Sequence, residues 1–268
     1  MKIQVVCLLG MIGMVVCTQP ALAQILVEQG KISETVAPGG THAGVIAVHN
    51  TADQPIRVKA YLEDFQYQPP FDGKKLFSPA GAAPRSIAKW FRFLPTEFDL
   101  PPYGKKEIHF TAKLPPDAKG GYYGVLFFEK TEQNLKDVTG VNIITRVGTL
   151  LFFESQDKKK KSHVGNLTAK GNAVAGIFKN GGDIIMIPQG TYFVLDGEGV
   201  PVDRGEISKF YLPPLESAAF SIPLAKELTQ GQYSLVITFD LGEGDSVVKE
   251  LDVRKNSDDS MTILQERD

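Results

Sequence analysis

Cysteine is nearly absent from this chain. Its 268 residues contain two, Cys7 and Cys17, and both lie in an N-terminal segment that we expect to be removed. The mature chain would then hold no disulfide, no thiol catalyst and no thiolate metal site, so apolar cores must stabilise it. Hydrophobic residues make up 43% of the chain, which is enough for one large core or two modest ones.

The first 23 residues have the layout of a secretory signal peptide. Lys2 supplies a positive start, residues 5–16 form an apolar stretch, and Ala21-Leu22-Ala23 provides the small residues of a cleavage site. The apolar stretch is too short to span a bilayer as a helix. We expect cleavage after Ala23 and a periplasmic or secreted mature protein. A lipoprotein signal acylated at Cys17 is the alternative, although Val16 stands where a small residue is needed.

Strong net charge, catalytic motifs and later apolar runs are also missing. The net charge is −2, which gives no general basis for binding nucleic acid. The four histidines lack zinc-binding spacing, and no nucleophile elbow, phosphate loop or dinucleotide fingerprint occurs. Nothing after the leader resembles a transmembrane span. We therefore expect no catalytic residue, no metal or other cofactor, no nucleic-acid partner and no stable membrane insertion.

The mature sequence is instead rich in strand patterns. Residues 56–63 alternate apolar and polar side chains, as a half-buried antiparallel strand does. No window shows a long helical period with caps. These features predict an all-β fold of the sandwich type. Seven further segments are rich in β-branched or aromatic residues between Pro, Gly, Asn or Asp, namely 107–114, 121–129, 141–153, 172–179, 190–195, 218–224 and 233–241.

Three short sequence motifs, which we call marks, occur twice in the same order, and this repetition predicts two domains with the same arrangement of strands. Paired prolines protect a sheet edge, and a Gly-x-Tyr entry suits a tyrosine corner, in which the phenol bonds to an upstream backbone group. We expect two immunoglobulin-like β-sandwich domains in tandem after the signal peptide. The marks are an Asn-x-x-Asp turn at 50–53 and 180–183, Phe-x-Leu-Pro-Pro at 98–102 and 210–214, and Gly-x-Tyr at 121–123 and 231–233.

A charge run predicts the boundary between the domains. Four lysines, Lys158 to Lys161, interrupt two strand-rich regions, and such a run is typical of a solvated linker. The first domain also carries an insertion, 68–85, that is rich in Pro, Gly and Ala and predicts an irregular loop. We expect a first domain at 24–155, a linker at 156–162, a second domain at 163–253 and a frayed polar tail at 254–268.

Residues 24–153 resemble the N-terminal domain of the periplasmic pilus chaperones of the chaperone–usher family. The likeness lies in the order and residue types of segments 36–40 and 44–50 and of the closing strand 143–153. The second half of the chain is similar to the second sandwich of chaperone-like exported proteins. The resemblance implies two sandwiches that meet at an angle. It also implies that the last strand of domain one lends alternate apolar side chains to a subunit that lacks a strand, by β-strand addition.

By this resemblance the donor residues are Val141, Ile143, Thr145 and Val147, which share one side of a strand. The segment 141–153 is apolar on both faces over much of its length. That pattern fits either a central sandwich strand or an edge strand that a partner covers.

The family also anchors its subunit's terminal carboxylate with two basic residues in the cleft. The first position falls on Glu34, which has the wrong sign, and the second falls near Gly148. Arg146 is the nearest cation and a candidate anchor, but the basic pair itself is missing.

The expected function follows from this scaffold. We expect a chaperone-like protein, monomeric when free, that binds a subunit of a pilus or another surface structure. The alternative is a structural or adhesive cell-envelope module whose paired domains bind cell-wall or surface-layer components.

Overall fold

The structure, a computed structural model, describes residues 24–131, 145–225 and 227–267. Within these ranges all regular secondary structure is β-strand, which confirms the all-β prediction. The part of the chain described contains no helix with the length and apolar character needed to cross a membrane. The expected leader, 1–23, lies outside these ranges, as do the donor positions Val141 and Ile143.

Ten strands build the first sandwich. One sheet has the order β1-β3-β8-β6, and the other has the order β2-β10-β9-β4-β5 with β7 also paired to β4. Buried Ile46, Ile108, Leu126 and Phe128 fill the space between the two sheets. The strands are β1 (Ile25–Val27), β2 (Lys31–Val36), β3 (Thr41–Asn50), β4 (Ile56–Tyr67), β5 (Lys75–Pro79), β6 (Phe91–Leu94), β7 (Glu97–Leu100), β8 (Lys105–Lys113), β9 (Gly121–Thr131) and β10 (Arg146–Ser155).

Eight strands build the second sandwich, in sheets of order β11-β12-β15 and β14-β13-β16-β17-β18. Its core is aromatic, with the rings of Phe178 and Phe239 5.0 Å apart. The pair of sandwiches confirms the predicted fold class. The strands are β11 (Ser162–Lys170), β12 (Ala173–Asn180), β13 (Gln189–Leu195), β14 (Pro201–Ile207), β15 (Ser217–Pro223), β16 (Gly231–Gly242), β17 (Asp245–Lys255) and β18 (Met261–Arg267).

The repeated asparagine and Leu-Pro-Pro marks form one hydrogen-bond network in each sandwich. In the second sandwich, the side-chain amide of buried Asn180 donates to the carbonyls of Ile184 (2.8 Å), Leu212 (3.0 Å) and Pro213 (3.1 Å). Its side-chain oxygen accepts the Gly182 N–H at 2.9 Å. The amide thereby joins a turn to the crossing segment between sheets, and it adds a second donor to the Leu212 and Pro213 carbonyls, which also accept the backbone N–H groups of Met186 and Glu216.

The first sandwich repeats this network at the matching positions. Buried Asn50 donates to the carbonyls of Gln54 (2.7 Å), Leu100 (3.4 Å) and Pro101 (2.9 Å). Its side-chain oxygen accepts the Ala52 N–H at 3.0 Å. The internal repeat in the sequence therefore corresponds to a repeated physical interaction.

Two segments that we expected to be irregular contain strands over part of their length. The insertion 68–85 contains β5, which pairs with β4, and its Phe71 is buried. The expected frayed tail begins inside β17 and ends in β18, whose Met261 is buried while Arg267 forms ion pairs with Glu250 and Asp252. The tail is ordered because its alternate residues meet an apolar core on one face and acidic side chains on the other.

Candidate functional site

The closing strand of the first sandwich is covered unevenly. Strand β10 pairs with β9 from Arg146 to Glu154 on one side. On its other side it pairs with β2 only from Leu150 to Ser155. Among the described residues, no strand continues that second pairing toward Arg146. Among the described residues, the strand is therefore central over one half of its length and an edge over the other half, and cover of that edge by a partner stays a prediction.

The backbone groups at this open edge can be assigned from their neighbours. The Leu150 N–H points toward the β2 side, where it donates to the Gly30 carbonyl at 3.0 Å. Because backbone groups alternate along a strand, those of Gly148 and Arg146 point to the same side. The edge therefore presents a short row of donors and acceptors of the kind that pairs with an added strand.

The side chains of β10 alternate between two apolar regions. Leu151 and Phe153 are fully buried in the core of the first sandwich, and half-buried Val147 packs at the border of that core. Thr149, on the same face, is buried with its hydroxyl donating to the Gln29 carbonyl at 2.7 Å. Thr145 is exposed just before the strand begins. Val147 thus lies on the same face as Leu151 and Phe153, and its role as a donor residue stays a prediction.

Gly148 lies on the opposite face, beneath the ring of Phe127. A Cβ atom at this glycine would lie 2.9 Å from the Phe127 ring and 2.7 Å from Val125. The position therefore has no room for a side chain, and the close fit keeps the backbone of β10 flat against β9.

Arg146 lies on this outer face and is engaged there. Its guanidinium lies 4.0 Å from the centre of the Phe127 ring, and it donates to Glu63 at 2.9 Å and to the Tyr61 hydroxyl at 3.2 Å. The hydrogen bond to Tyr61 and the Glu63 carboxylate raise the pKa of Arg146. These contacts hold the charge against the outer face of the sheet, and Arg146 does not line the cavity that contains Lys31.

The two sandwiches share an apolar junction. Aromatic residues of the first sandwich, such as Phe65 and Phe152, belong to the same buried cluster as the core of the second. Phe71 of the insertion accepts a backbone hydrogen bond from Tyr211 at 2.8 Å, and the ring of Tyr211 stacks on Tyr67 with centroids 4.9 Å apart. The insertion is therefore part of the junction between the sandwiches.

The two expected tyrosine corners differ. Tyr233 donates to the Thr229 carbonyl at 2.8 Å, which confirms the corner in the second sandwich. Tyr123 does not form one, because its hydroxyl accepts the Ile185 N–H of the second sandwich at 2.7 Å. Burial raises the pKa of Tyr123. The corresponding residue of the first sandwich thus connects the two halves of the molecule.

A cavity of about 300 Å³ lies between the sandwiches and is rich in lysine. Lys31 opens β2 and lines the cavity, with its ammonium 4.2 Å from the centre of the Phe152 ring. Burial lowers the pKa of Lys31. Lys158 and Lys160 line the same cavity from the segment between β10 and β11. Their side chains are only 14% and 15% exposed, so the expectation of a solvated charge run is wrong for these two lysines.

In strand β2 the residue that lines this cavity is Lys31, and Glu34 does not line it. Glu34 shares the face of Ile32 and Val36, which points into the first sandwich, and it lies 3.7 Å from His42. Lys31 has the opposite orientation and reaches the cavity. The spacing of Ile32 and Val36 in a strand already assigned Lys31 to the outward face, and this signal was missed.

No metal site accompanies these lysines in the described ranges, where no three His, Cys, Asp or Glu side chains are grouped suitably. The lining of the cavity combines these ammonium groups and nearby carboxylates with apolar side chains such as Ile185 and Met186. This chemistry suits a carboxylate attached to an apolar chain.

Comparison with known proteins shows the fold. No protein-family model matches the chain, and no curated protein matches it. A chain of the chaperone–tip adhesin complex of CFA/I fimbriae biogenesis aligns with a TM-score of 0.53 at 14% identity, over 84% of this chain and 97% of that one. The Class 5 fimbriae chaperone CfaA aligns with a TM-score of 0.51 at 12% identity, over the same shares. These likenesses confirm, at the level of the fold, the resemblance to pilus chaperones.

Proposed function

We propose that this chain is an exported, non-enzymatic, chaperone-like protein that holds a partner polypeptide by strand addition along β10. The observation that carries the proposal is the end of the β2 pairing at Leu150, with Arg146 to Gly148 unpaired on that side among the described residues. An extended segment of a partner placed there would extend the sheet through the outward backbone groups of Gly148 and Arg146.

The side chains in the open half of β10 would set the register in which a partner strand pairs with it. Val147 and Thr145 continue the face that Leu151 and Phe153 bury in their own core. A partner with an incomplete sandwich would receive this face in place of its missing strand. Val141 and Ile143 are proposed to extend the same face beyond the described residues, because strand side chains alternate.

The lysine-rich cavity supports an end point for the bound segment. We assign the carboxylate-anchoring role to this cavity, with Lys31 as one donor and the lysines of the following segment beside it. In the described part, no acidic side chain forms an ion pair with Lys31. Arg146 is assigned a positioning role, since it holds Phe127 and β4 against the open half of β10.

The compartment is proposed from the leader, and the partner class from the open half of β10. The leader favours the periplasm or the exterior. The partner class is a surface or pilus subunit that lacks one strand. The free chaperone is proposed to be a monomer.

The test is capture of a strand-deficient surface subunit that is co-expressed in the periplasm with variants of the chain. Thr145→Asp, Ile143→Asp and Val147→Asp place charge on the lent face and are expected to weaken capture at least about tenfold, because each would bury an unpaired carboxylate. Val202→Asp is the matched control, since Val202 is an exposed valine on the edge strand β14 of the second sandwich.

Thermal melting shows whether each variant is folded, and Thr145→Asp is the safest variant because Thr145 is exposed. Capture by folded Thr145→Asp and Ile143→Asp at the level of the unaltered chain would contradict strand donation. Recovery of cell-wall glycan in place of a subunit would support the adhesive alternative.

A further inference from the structure

A carboxylate from the chain itself already occupies part of the lysine-rich cavity. Glu243, in the turn between β16 and β17, places one oxygen 3.0 Å from the Lys158 ammonium and the other 2.6 Å from the Lys160 ammonium. Each oxygen thus has its own cation. A chain-terminal carboxylate held by two ammonium groups would make the same pair of contacts.

The solvent exposure of the side chains indicates that Glu243, and not the two lysines, can leave this contact. The Glu243 side chain is 62% exposed, whereas the two lysine side chains are almost buried. Lys158 has a second carboxylate partner in Glu154 at 2.9 Å, and Lys160 has one in Asp245 at 3.4 Å. The lysines are therefore held in place without Glu243, and the glutamate can swing into solvent.

The backbone of the turn is shaped to present Glu243. Gly242, Glu243 and Gly244 have φ angles of 76°, 59° and 87°, and Gly242 pairs with Asp245 across a two-residue hairpin. Glycine adopts these angles freely, whereas a residue with a Cβ does so at a cost. Glu243 keeps this conformation while its carboxylate is bound to the lysines.

The charges of the cavity disfavour a further carboxylate beside Glu243. The ammonium groups of Lys31, Lys158 and Lys160 face four carboxylates, those of Glu154, Asp240, Glu243 and Asp245. A carboxylate brought by a partner would add to this excess of negative charge in a partly buried site, which is unfavourable. Exchange of Glu243 for the incoming carboxylate leaves the net charge of the site unchanged.

We propose that Glu243 is an internal competitor, which occupies the carboxylate site of Lys158 and Lys160 in the free protein and must be displaced when a partner's carboxylate binds. The proposal rests on the proposed function in one respect, the assignment of the cavity as the anchoring site. It adds that the free protein keeps this site closed to weakly bound carboxylates and opens it only for a partner that also pairs along β10.

The experiment measures a small carboxylate and needs no partner subunit. N-acetylvaline, with a free carboxylate, and N-acetylvalinamide are titrated into the full mature chain, and amide and lysine shifts are followed by nitrogen-15 NMR. Glu243→Gln is expected to bind N-acetylvaline at least about fivefold more tightly than the unaltered chain, since the exposed Glu243 carboxylate no longer competes for the two lysines. Glu243→Gly, which also relieves the positive φ, is the second variant and is expected to do the same.

Three controls complete the design. Glu198→Gln removes a glutamate from the other exposed Gly-rich turn and is expected to leave binding of N-acetylvaline unchanged. Lys160→Gln, combined with Glu243→Gln, is expected to abolish the gain in affinity. N-acetylvalinamide, which lacks the carboxylate, is expected not to bind. Affinity of Glu243→Gln and Glu243→Gly within twofold of the unaltered chain, or equal binding of acid and amide, would overturn the proposal. That result would leave strand capture by β10 untouched, and a loss of strand capture would leave this measurement unchanged.

Discussion

The buried asparagine networks make a quantitative prediction about stability. Asn180→Ala removes an amide that donates to three carbonyls and an oxygen that accepts the buried Gly182 N–H. The two donor hydrogens and the one acceptor correspond to three hydrogen bonds, each worth about 1 kcal/mol net. We therefore expect Asn180→Ala to lower the free energy of unfolding by about 3 kcal/mol.

Asn50→Ala is expected to have an effect of similar size, because the first sandwich repeats the same contacts. The assay is urea unfolding of the mature chain, followed by circular dichroism, with the slope of free energy against urea compared among variants. Asn172→Ala is the control, since its side chain donates one hydrogen bond of 3.3 Å to the Leu224 carbonyl. The control is expected to cost less than about 1 kcal/mol.

A loss below about 1 kcal/mol for Asn180→Ala or Asn50→Ala, at an unchanged slope, would refute the reasoning. It would mean that water replaces the amide contacts without cost, and that the repeated mark is not a source of stability. Asn180→Asp separates the two parts of the network, because the carboxylate keeps the contact to Gly182 but repels the carbonyls. We expect it to be at least as unstable as Asn180→Ala at neutral pH.

Three further variants test the junction and the fit of β10. Phe71→Ala removes a buried ring and is expected to cost about 3–5 kcal/mol in urea unfolding, whereas the same truncation at the exposed Leu76 is expected to cost less than about 0.5 kcal/mol. Tyr123→Phe leaves a backbone N–H of the second sandwich without its acceptor and is expected to cost about 1–2 kcal/mol. Gly148→Val forces a side chain against Phe127 and is expected to lower stability by about 2 kcal/mol. A neutral effect of any of these three changes, measured against the unaltered chain, would contradict the packing described for that residue.

Much of the fold was predictable because strand patterns and turn residues are local. The alternation at 56–63 predicted most of β4, and the segment 233–241 lies within β16. The repeated asparagine and Leu-Pro-Pro marks were also recognisable, since both copies need the same residue types for the same contacts. The division at 156–162 stays a prediction, although β10 ends at Ser155 and β11 begins at Ser162 around it.

The remaining features depend on neighbours distant in sequence. Strand β5 has five residues and β1 has three, which is too few for a period to show, and their pairing partners decide their structure. Tyr123 resembles Tyr233 in sequence, yet only the adjacency of Ile185 gives it a different hydrogen bond. The uneven cover of β10 is likewise a property of where β2 begins.

The site was partly predictable for the same reasons. Val147 packs against the core of the first sandwich, and the donor role of Val141, Ile143, Thr145 and Val147 stays a prediction. The cavity lysines were misjudged because a charge run is usually solvated, and here acidic side chains of both sandwiches surround it.

The most direct measurement of strand addition is hydrogen exchange at single amides of β10, in the free chain and in its purified complex with a strand-deficient subunit. We predict that the Gly148 and Arg146 amides exchange at least about tenfold more slowly in the complex, whereas the Leu150 amide, already bonded to Gly30, is protected in both states. Unchanged exchange at Gly148 and Arg146 in a complex that has formed would show that the partner binds elsewhere.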